Sequence, residues 1–231
     1  MDILFEDKYL LVCRKPAGMP TQTAGVCAKD MVSEVKNYLK TKEKGDLYTG
    51  LVHRLDQPVE GVLVFAKNSF AAANLSRQLH EGNMKKYYDA AVCGIVCDQE
   101  EVKLTHYLVK DAKAKKALFA DEKTPGAKRA ELLYKVTVTD EEAGESLLRI
   151  RLLTGRFHQI RAQLAKIGHP IVNDTKYGGR KEEGSGNSRS IALCACCLEF
   201  VHPKTNKGMR FEIEPCQEDL KRLNSLTNPC K

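Results

Sequence analysis

An apolar run in the first third of the chain predicts a central strand. Residues 61–66, GVLVFA, are uninterrupted by charge and contain β-branched and aromatic side chains, as is typical of a strand buried on both faces. The preceding polar segment contains Pro58, which donates no backbone hydrogen bond and fixes its own φ. We therefore predict that the backbone lies outside the sheet just before this strand, and that Asp56 faces a cleft there.

Periodic apolar positions predict further elements along the chain. Residues 2–13 predict two short strands joined by a turn. Helices are predicted after the capping residues Asp30 and Asn68, and over residues 157–167 before Gly168. Further strands are predicted at residues 86–94, 130–136, 148–152, 190–200 and 209–213.

Most of the net charge of +7 lies in one stretch. Eight basic and three acidic residues occur between Lys103 and Arg129. Because neutralising phosphates supplies most sequence-independent affinity for nucleic acids, this stretch suits a loop or hairpin that contacts nucleic-acid phosphates. A solvated, lysine-rich surface is the alternative interpretation.

Composition argues against several classes of protein. The nine cysteines form no pair of CxxC knuckles and no zinc-type Cys/His spacing, which argues against a metal site and favours reduced thiols. The sequence also lacks a Walker-type loop and a dinucleotide fingerprint. Charged residues interrupt the apolar N-terminus and no run reaches transmembrane length, so we expect a cytoplasmic protein without a membrane partner.

No linker is evident in the 231 residues, and the only loop-like cluster, at residues 184–188, is short. A single domain is therefore predicted. The chain shows no exposed heptad pattern, so a monomer is expected.

Four segments carry motifs of one enzyme family. HRLD at residues 53–56, followed by a glycine and an apolar strand, resembles the signature of the RluA-type pseudouridine synthases. Three further segments resemble motifs of the same family: LLVCRKPAGMP at 10–20, KYYDAAVCG at 86–94 and LLTGRFHQIRAQLAKIGHPIVNDTKYGG at 152–179. With the later strands, the resemblance extends over most of the chain.

The resemblance implies an α+β fold with a mixed, mostly antiparallel central sheet flanked by helices and loops. It implies one catalytic domain over residues 1–231, without a separate N-terminal RNA-binding domain. The activity implied is isomerisation of uridine to pseudouridine in structured ribosomal or transfer RNA, without a cofactor or metal. In this family Asp56 would be the catalytic nucleophile, Tyr88 a ring that stacks on the target base, and Arg161 the arginine beside the aspartate.

The resemblance also indicates RNA contacts. Arg54 would reach into the RNA near the position that the flipped base vacates, and Arg156 would contact phosphates. For His53, His158 and Gln159, contact with RNA and hydrogen bonding within the protein are both open interpretations.

One departure from the family pattern lies beside the predicted nucleophile. Val59 and Glu60 stand where the family has Thr-Ser, which adds a carboxylate near Asp56. Two rival interpretations follow: an RNA-binding protein without activity, and a nucleoside or glycoside hydrolase that uses Asp56 and Glu60 as a carboxylate pair.

Overall fold

The apolar run after Asp56 is a strand with every residue buried in the structure, a computed structural model that describes residues 1–23, 29–42, 48–181 and 190–227. The strands are β1 (Asp2–Glu6), β2 (Leu10–Lys15), β3 (Gly50–Leu51), β4 (Glu60–Ala66), β5 (Lys85–Cys93), β6 (Val102–Asp111), β7 (Lys116–Ala120), β8 (Lys128–Asp140), β9 (Glu145–Leu152), β10 (Leu193–Val201) and β11 (Gly208–Glu212). The helices are α1 (Met31–Lys42), α2 (Ser69–His80), α3 (Gln159–Lys166) and α4 (Glu218–Thr227), with a short 3-10 helix at Thr175–Tyr177.

The chain folds as two compact units. Unit 1 contains Met1–Lys85 and Ala195–Ile213, and unit 2 contains Lys86–Cys194 and the segment from Glu214 onward. The single catalytic domain that the sequence predicts stays a prediction.

In unit 1, β2 pairs antiparallel with both β1 and β4, and β11 pairs antiparallel with β10. The core contains alternate residues of β2 and β4, together with Ala71 and Leu75 of α2. The predicted cap of α2 is confirmed, because the Asn68 side chain accepts a hydrogen bond from the Ala71 N–H at 2.9 Å. Asp30 likewise accepts from the Ser33 N–H at 2.7 Å, at the start of α1.

Gly61 lets β10 approach β4 closely. It has a φ of +151°, and a Cβ built on it would lie 2.3 Å from Ala195 Cβ and 2.7 Å from the Ala195 carbonyl oxygen. No side chain fits in that space. The glycine that follows the HRLD motif is therefore required by packing at the start of the buried strand.

In unit 2 the strand order is β5-β9-β8-β6-β7, and the neighbouring strands are antiparallel. The basic stretch between Lys103 and Arg129 forms the β6–β7 hairpin and the start of β8. Six consecutive residues of α3 are buried, including Gln159 and Arg161, so this helix is enclosed on more faces than its apolar periodicity predicts. Arg222 of α4 forms ion pairs with Asp140 and Glu145.

The α+β class and the mostly antiparallel sheet are confirmed. The sequence did not predict α4 or the two-residue β3, and the cluster at residues 184–188 lies outside the described residues. In the described ranges no helix is long and apolar enough to span a membrane.

We predict that Gly61→Ala lowers the free energy of unfolding by about 2–4 kcal/mol, because the new methyl group overlaps β10 and the φ is unfavourable for alanine. Urea denaturation measures this change. Gly208→Ala is the control, since a Cβ there meets nothing within 4 Å. Equal stability of the two variants would contradict the packing role of Gly61.

Candidate active site

Asp56 lies in the turn between β3 and β4 and is half-buried. Its carbonyl oxygen accepts a hydrogen bond from the Val59 N–H at 3.1 Å, which closes the turn across Pro58. The prediction that the chain lies outside the sheet at this aspartate is thus confirmed.

The residue before Asp56 is fixed by Thr21. The Thr21 hydroxyl donates to the Leu55 carbonyl oxygen at 2.8 Å and accepts from the Leu55 N–H at 3.1 Å. Leu55 itself is buried. Both backbone polar groups of this residue are therefore held by one side chain.

The residue after Asp56 is fixed by the segment that follows β2. The Gln57 carbonyl oxygen accepts from the Gly18 N–H at 2.8 Å and from Lys15 Nζ at 3.1 Å, and Gln57 Nε2 donates to the Gly18 carbonyl oxygen at 3.0 Å. Asp56 therefore lies between two anchored residues, and its backbone position is set before any ligand binds.

Lys15 connects the turn after Asp56 to the segment that follows β2. Its side chain is fully buried, and its ammonium group also donates to the carbonyl oxygens of Pro16 at 2.9 Å and Met19 at 2.6 Å. Burial lowers the pKa of Lys15 to about 8, while the charges of Asp56 and Glu60 act in the opposite direction. The ammonium thus holds the turn together and places a positive charge near the Asp56 carboxylate.

Glu60, the unusual residue after the turn, is buried and forms an ion pair with Arg14 at 3.0 Å. Arg14 lies on β2, which pairs with β4. The additional carboxylate is therefore bound to a cation of the neighbouring strand.

Tyr88 lies in the middle of β5, opposite Ile150 of β9, and is 6% exposed. Its aromatic ring is held by the sheet of unit 2. The strand predicted around it is confirmed.

Arg161 forms a buried, bidentate ion pair with Asp174. Its Nε donates to Asp174 Oδ2 at 2.6 Å and its Nη2 to Oδ1 at 2.7 Å, and the two residues are 5% and 1% exposed. Gly179 closes the loop around this aspartate so tightly that a Cβ would lie 2.0 Å from the Ile171 carbonyl oxygen. The guanidinium group is therefore fixed in one orientation.

Tyr177 connects Arg161 to the basic hairpin. The guanidinium lies 5.2 Å from the centre of the Tyr177 ring, and the Tyr177 hydroxyl accepts from the Ala117 N–H of β7 at 2.7 Å. That hydroxyl is also 3.0 Å from His158 Nδ1.

Burial and the positive charges of Arg161, Lys176 and Lys110 lower the pKa of His158 to about 3. His158 is therefore neutral near pH 7, with its Nδ1 within hydrogen-bond distance of the Tyr177 hydroxyl.

Gln159 organises the glycine turn before α3. Its Oε1 accepts from the Thr154 hydroxyl at 2.7 Å and from the Arg156 N–H at 3.0 Å, while its Nε2 donates to the Glu131 carbonyl oxygen at 3.0 Å. Arg156 is exposed and its Nε donates to the Arg129 carbonyl oxygen at 2.8 Å. These bonds give Gln159 a structural role and leave the end of the Arg156 side chain at the surface.

Arg54 is exposed and His53 is half-buried. The RNA contacts predicted for Arg54, His53, Arg156, His158 and Gln159 stay predictions, as does the location of Arg161 beside Asp56. Among the described residues, no group of three or more His, Cys, Asp or Glu side chains could hold a metal ion.

Comparison with known proteins shows the family to which the chain belongs. A family model described as RNA pseudouridylate synthase matches residues 9–166. The chain belongs to this family. It is therefore an isomerase, as the four motifs predicted, and its activity is that of an RNA pseudouridine synthase.

Curated relatives of this synthase match nearly the whole chain. Ribosomal large subunit pseudouridine synthase C of Escherichia coli (strain K12) is 36% identical, and the match covers 98% of this chain and 70% of that protein. The uncharacterised RNA pseudouridine synthase MG209 of Mycoplasma genitalium is 35% identical, and the match covers 99% of this chain and 72% of that protein.

A solved structure shows the same fold. Human RNA pseudouridylate synthase domain containing 4 superposes with a TM-score of 0.75 at 21% identity, covering 96% of this chain and 93% of that one. At this level of identity the likeness supports the fold alone.

The sequence alone assigned no role to three residues whose side chains hold the candidate site of the synthase. Lys15, Thr21 and Asp174 each lie in or next to a recognised motif, but a motif does not show which atoms its residues contact. The signal for Asp174 was its place in the longest family-like segment, residues 152–179.

We predict that Asp174→Ala lowers the free energy of unfolding by about 3–5 kcal/mol, because it leaves the Arg161 charge buried without this carboxylate. Urea denaturation at neutral pH measures the loss. Glu142→Gln serves as the control, since Glu142 is exposed. A change no larger than that of the control would show that the pair contributes little.

We also predict a pH dependence from Lys15. Its pKa in the folded protein is about 8, below the ordinary value of 10.5, so the unfolded chain binds more protons between these two values. The stability contributed by this residue therefore rises with pH across that window. We expect the wild type to gain stability relative to Lys15→Met between about pH 7 and about pH 10. If the difference in the free energy of unfolding between the two proteins did not change with pH, the lowered pKa of Lys15 would be contradicted.

Proposed function

We propose that this synthase isomerises uridine in structured RNA with Asp56 as the nucleophile, Tyr88 as the stacking ring for a flipped base, and Arg161 as the assisting cation. The observation that carries the proposal is the anchoring of the Asp56 turn, in which Thr21 holds the preceding residue and Lys15 the following one. Catalytic groups gain most when their position is fixed before the substrate binds.

The reaction needs no oxidant or second substrate. The bond from uracil N1 to ribose C1′ breaks, the uracil rotates, and a bond from C5 to C1′ forms. The C5 proton leaves to water while N1 gains one, so atoms and charge balance. Asp56 either attacks C1′ or removes a proton from the ribose, and in both cases it must be ionised. The positive charge of Lys15 favours that ionised state.

A uridine within a helical stem is reached only after it is turned out of the stack, at a cost of a few kcal/mol. Stacking on an aromatic ring is worth roughly 1–3 kcal/mol per base. Tyr88 is held rigidly in β5, so little freedom is lost when the base binds. Its ring could thus offset much of the cost of flipping.

The hydrolase alternative is weakened by the ion pair of Glu60. That carboxylate is 3% exposed and bound to Arg14, whereas a second catalytic carboxylate must reach the scissile bond or a water molecule. The alternative of an RNA-binding protein without activity is left to the experiment below.

Ribosomal RNA is the first substrate to test, because the E. coli relative is named for the large ribosomal subunit. Transfer RNA is the second. The β6–β7 hairpin would contact RNA phosphates through its lysines. The proposal retains a monomer in the cytoplasm, as expected from the sequence.

The decisive measurement uses RNA labelled with tritium at uracil C5, because formation of pseudouridine expels that label into water. We predict release by the wild type and at least about 10³-fold slower release by Asp56→Asn, which keeps the shape of the side chain and removes its charge. Ribosomal and transfer RNA are tested separately.

Asp2→Asn is the matched control, because it removes an exposed carboxylate from the same unit. Substantial turnover by Asp56→Asn would exclude Asp56 as the nucleophile. Release of free uracil by the wild type would favour the hydrolase alternative.

A further inference from the structure

Lys86 lies on the same face of β5 as Tyr88. It stands opposite Leu152 of β9, and Tyr88 stands opposite Ile150. Side chains two residues apart in a strand point to the same face, about 7 Å apart along the strand. The lysine and the predicted base-stacking ring are therefore neighbours on one face of the sheet of unit 2.

The ammonium of Lys86 lies at an exposed glycine. A Cβ built on Gly155 would be 3.5 Å from Lys86 Nζ, so the charge is next to the backbone of the turn that leads to Arg156. Gly155 and Arg156 are both exposed, and the Lys86 side chain is half-buried. The ammonium therefore lies beside a turn that is exposed to solvent.

Within the described parts of the chain, Lys86 has no hydrogen bond or ion pair, unlike two other lysines with little exposure. Lys15 donates to three carbonyl oxygens, and Lys67 pairs with Glu6 at 2.9 Å. Burial lowers the pKa of Lys86, and no neighbouring charge counteracts that shift. Lys86 is thus a partly desolvated cation for which the described residues supply no anion.

We propose that Lys86 binds a backbone phosphate of the RNA next to the uridine that stacks on Tyr88. This inference rests on the proposed function, since it uses RNA as the ligand. An anion would restore the interactions that the ammonium loses on burial, and phosphate is the anionic group of RNA. Arg156, whose side chain ends at the surface of the same turn, binds the adjoining phosphate.

Lys86→Met keeps an unbranched side chain one atom shorter than lysine and removes the charge. We expect the KM for tritium release from labelled large-subunit ribosomal RNA to rise about 5- to 20-fold, with kcat changed less than about 3-fold, because a phosphate contact holds substrate and transition state alike. Lys86→Arg should restore most of the affinity.

The salt dependence of binding gives a second readout that a structural role would not alter. In the Asp56→Asn background, the slope of log K against log salt for the same RNA should become shallower by about 0.7–0.9 in Lys86→Met, which corresponds to one lost phosphate contact. The midpoint of urea unfolding should stay equal or rise, because a desolvated charge has been removed.

Lys135→Met is the matched control. Lys135 is an exposed lysine opposite Arg149, so it lies on the other face of the same sheet and its loss changes the net charge equally. Equal effects of Lys86→Met and Lys135→Met on KM and on the salt slope would overturn the proposal. So would lower stability of Lys86→Met with an unchanged salt slope.

These experiments distinguish a failure of the proposed function from a failure of the phosphate contact at Lys86. If the wild type releases no tritium from any RNA tested, the proposed function fails, and the salt slope still decides whether Lys86 contacts phosphate. If the wild type is active and Lys86→Met has unchanged KM and slope, the Lys86 inference alone fails.

Discussion

The candidate site depends on one buried ammonium group and the three carbonyl oxygens around it. Lys15 can reach the Gln57 carbonyl because β2 and β4 pair in a register that puts Lys15 opposite Gly61. Gly61 itself must lack a Cβ, since β10 occupies the space beside it. The fixed position of Asp56 is thus a consequence of strand packing, and a carboxylate on a free loop would have to be ordered with each substrate.

The fold of unit 2 likewise fixes the position of a charged side chain, the Arg161 guanidinium. The bidentate contact with Asp174 gives Arg161 one orientation, but it also neutralises most of the charge that the arginine offers to a substrate. Such an arginine offers a substrate hydrogen-bond donors in a fixed orientation more than it offers a net positive charge. Lys15 donates to neutral carbonyl groups, so below its pKa of about 8 its positive charge acts on the nearby Asp56 carboxylate.

Sequence reasoning identified the elements of this fold where local physics decides them. Asn68 caps α2 and the run after Asp56 is buried, because capping and apolar runs are local signals. It did not foresee that Gln159 would be buried, since its partners are the Thr154 hydroxyl and the Glu131 carbonyl, 28 residues away in the chain. The contacts of Thr21 with Leu55 and of Lys15 with Gln57 likewise join residues that are far apart in the chain, and the order of residues in a sequence does not show such pairings.

Buried charges in this synthase fall into two groups with different consequences. Where the fold supplies the partner, as it does for Glu60 with Arg14, the charge stabilises a fixed frame and is unavailable to a ligand. Where the fold desolvates a cation without pairing it, as at Lys86, the free-energy cost remains in the unliganded protein and is recovered only when an anion binds. A protein whose substrate carries a phosphate at every nucleotide can retain such a cost, because binding that substrate removes it.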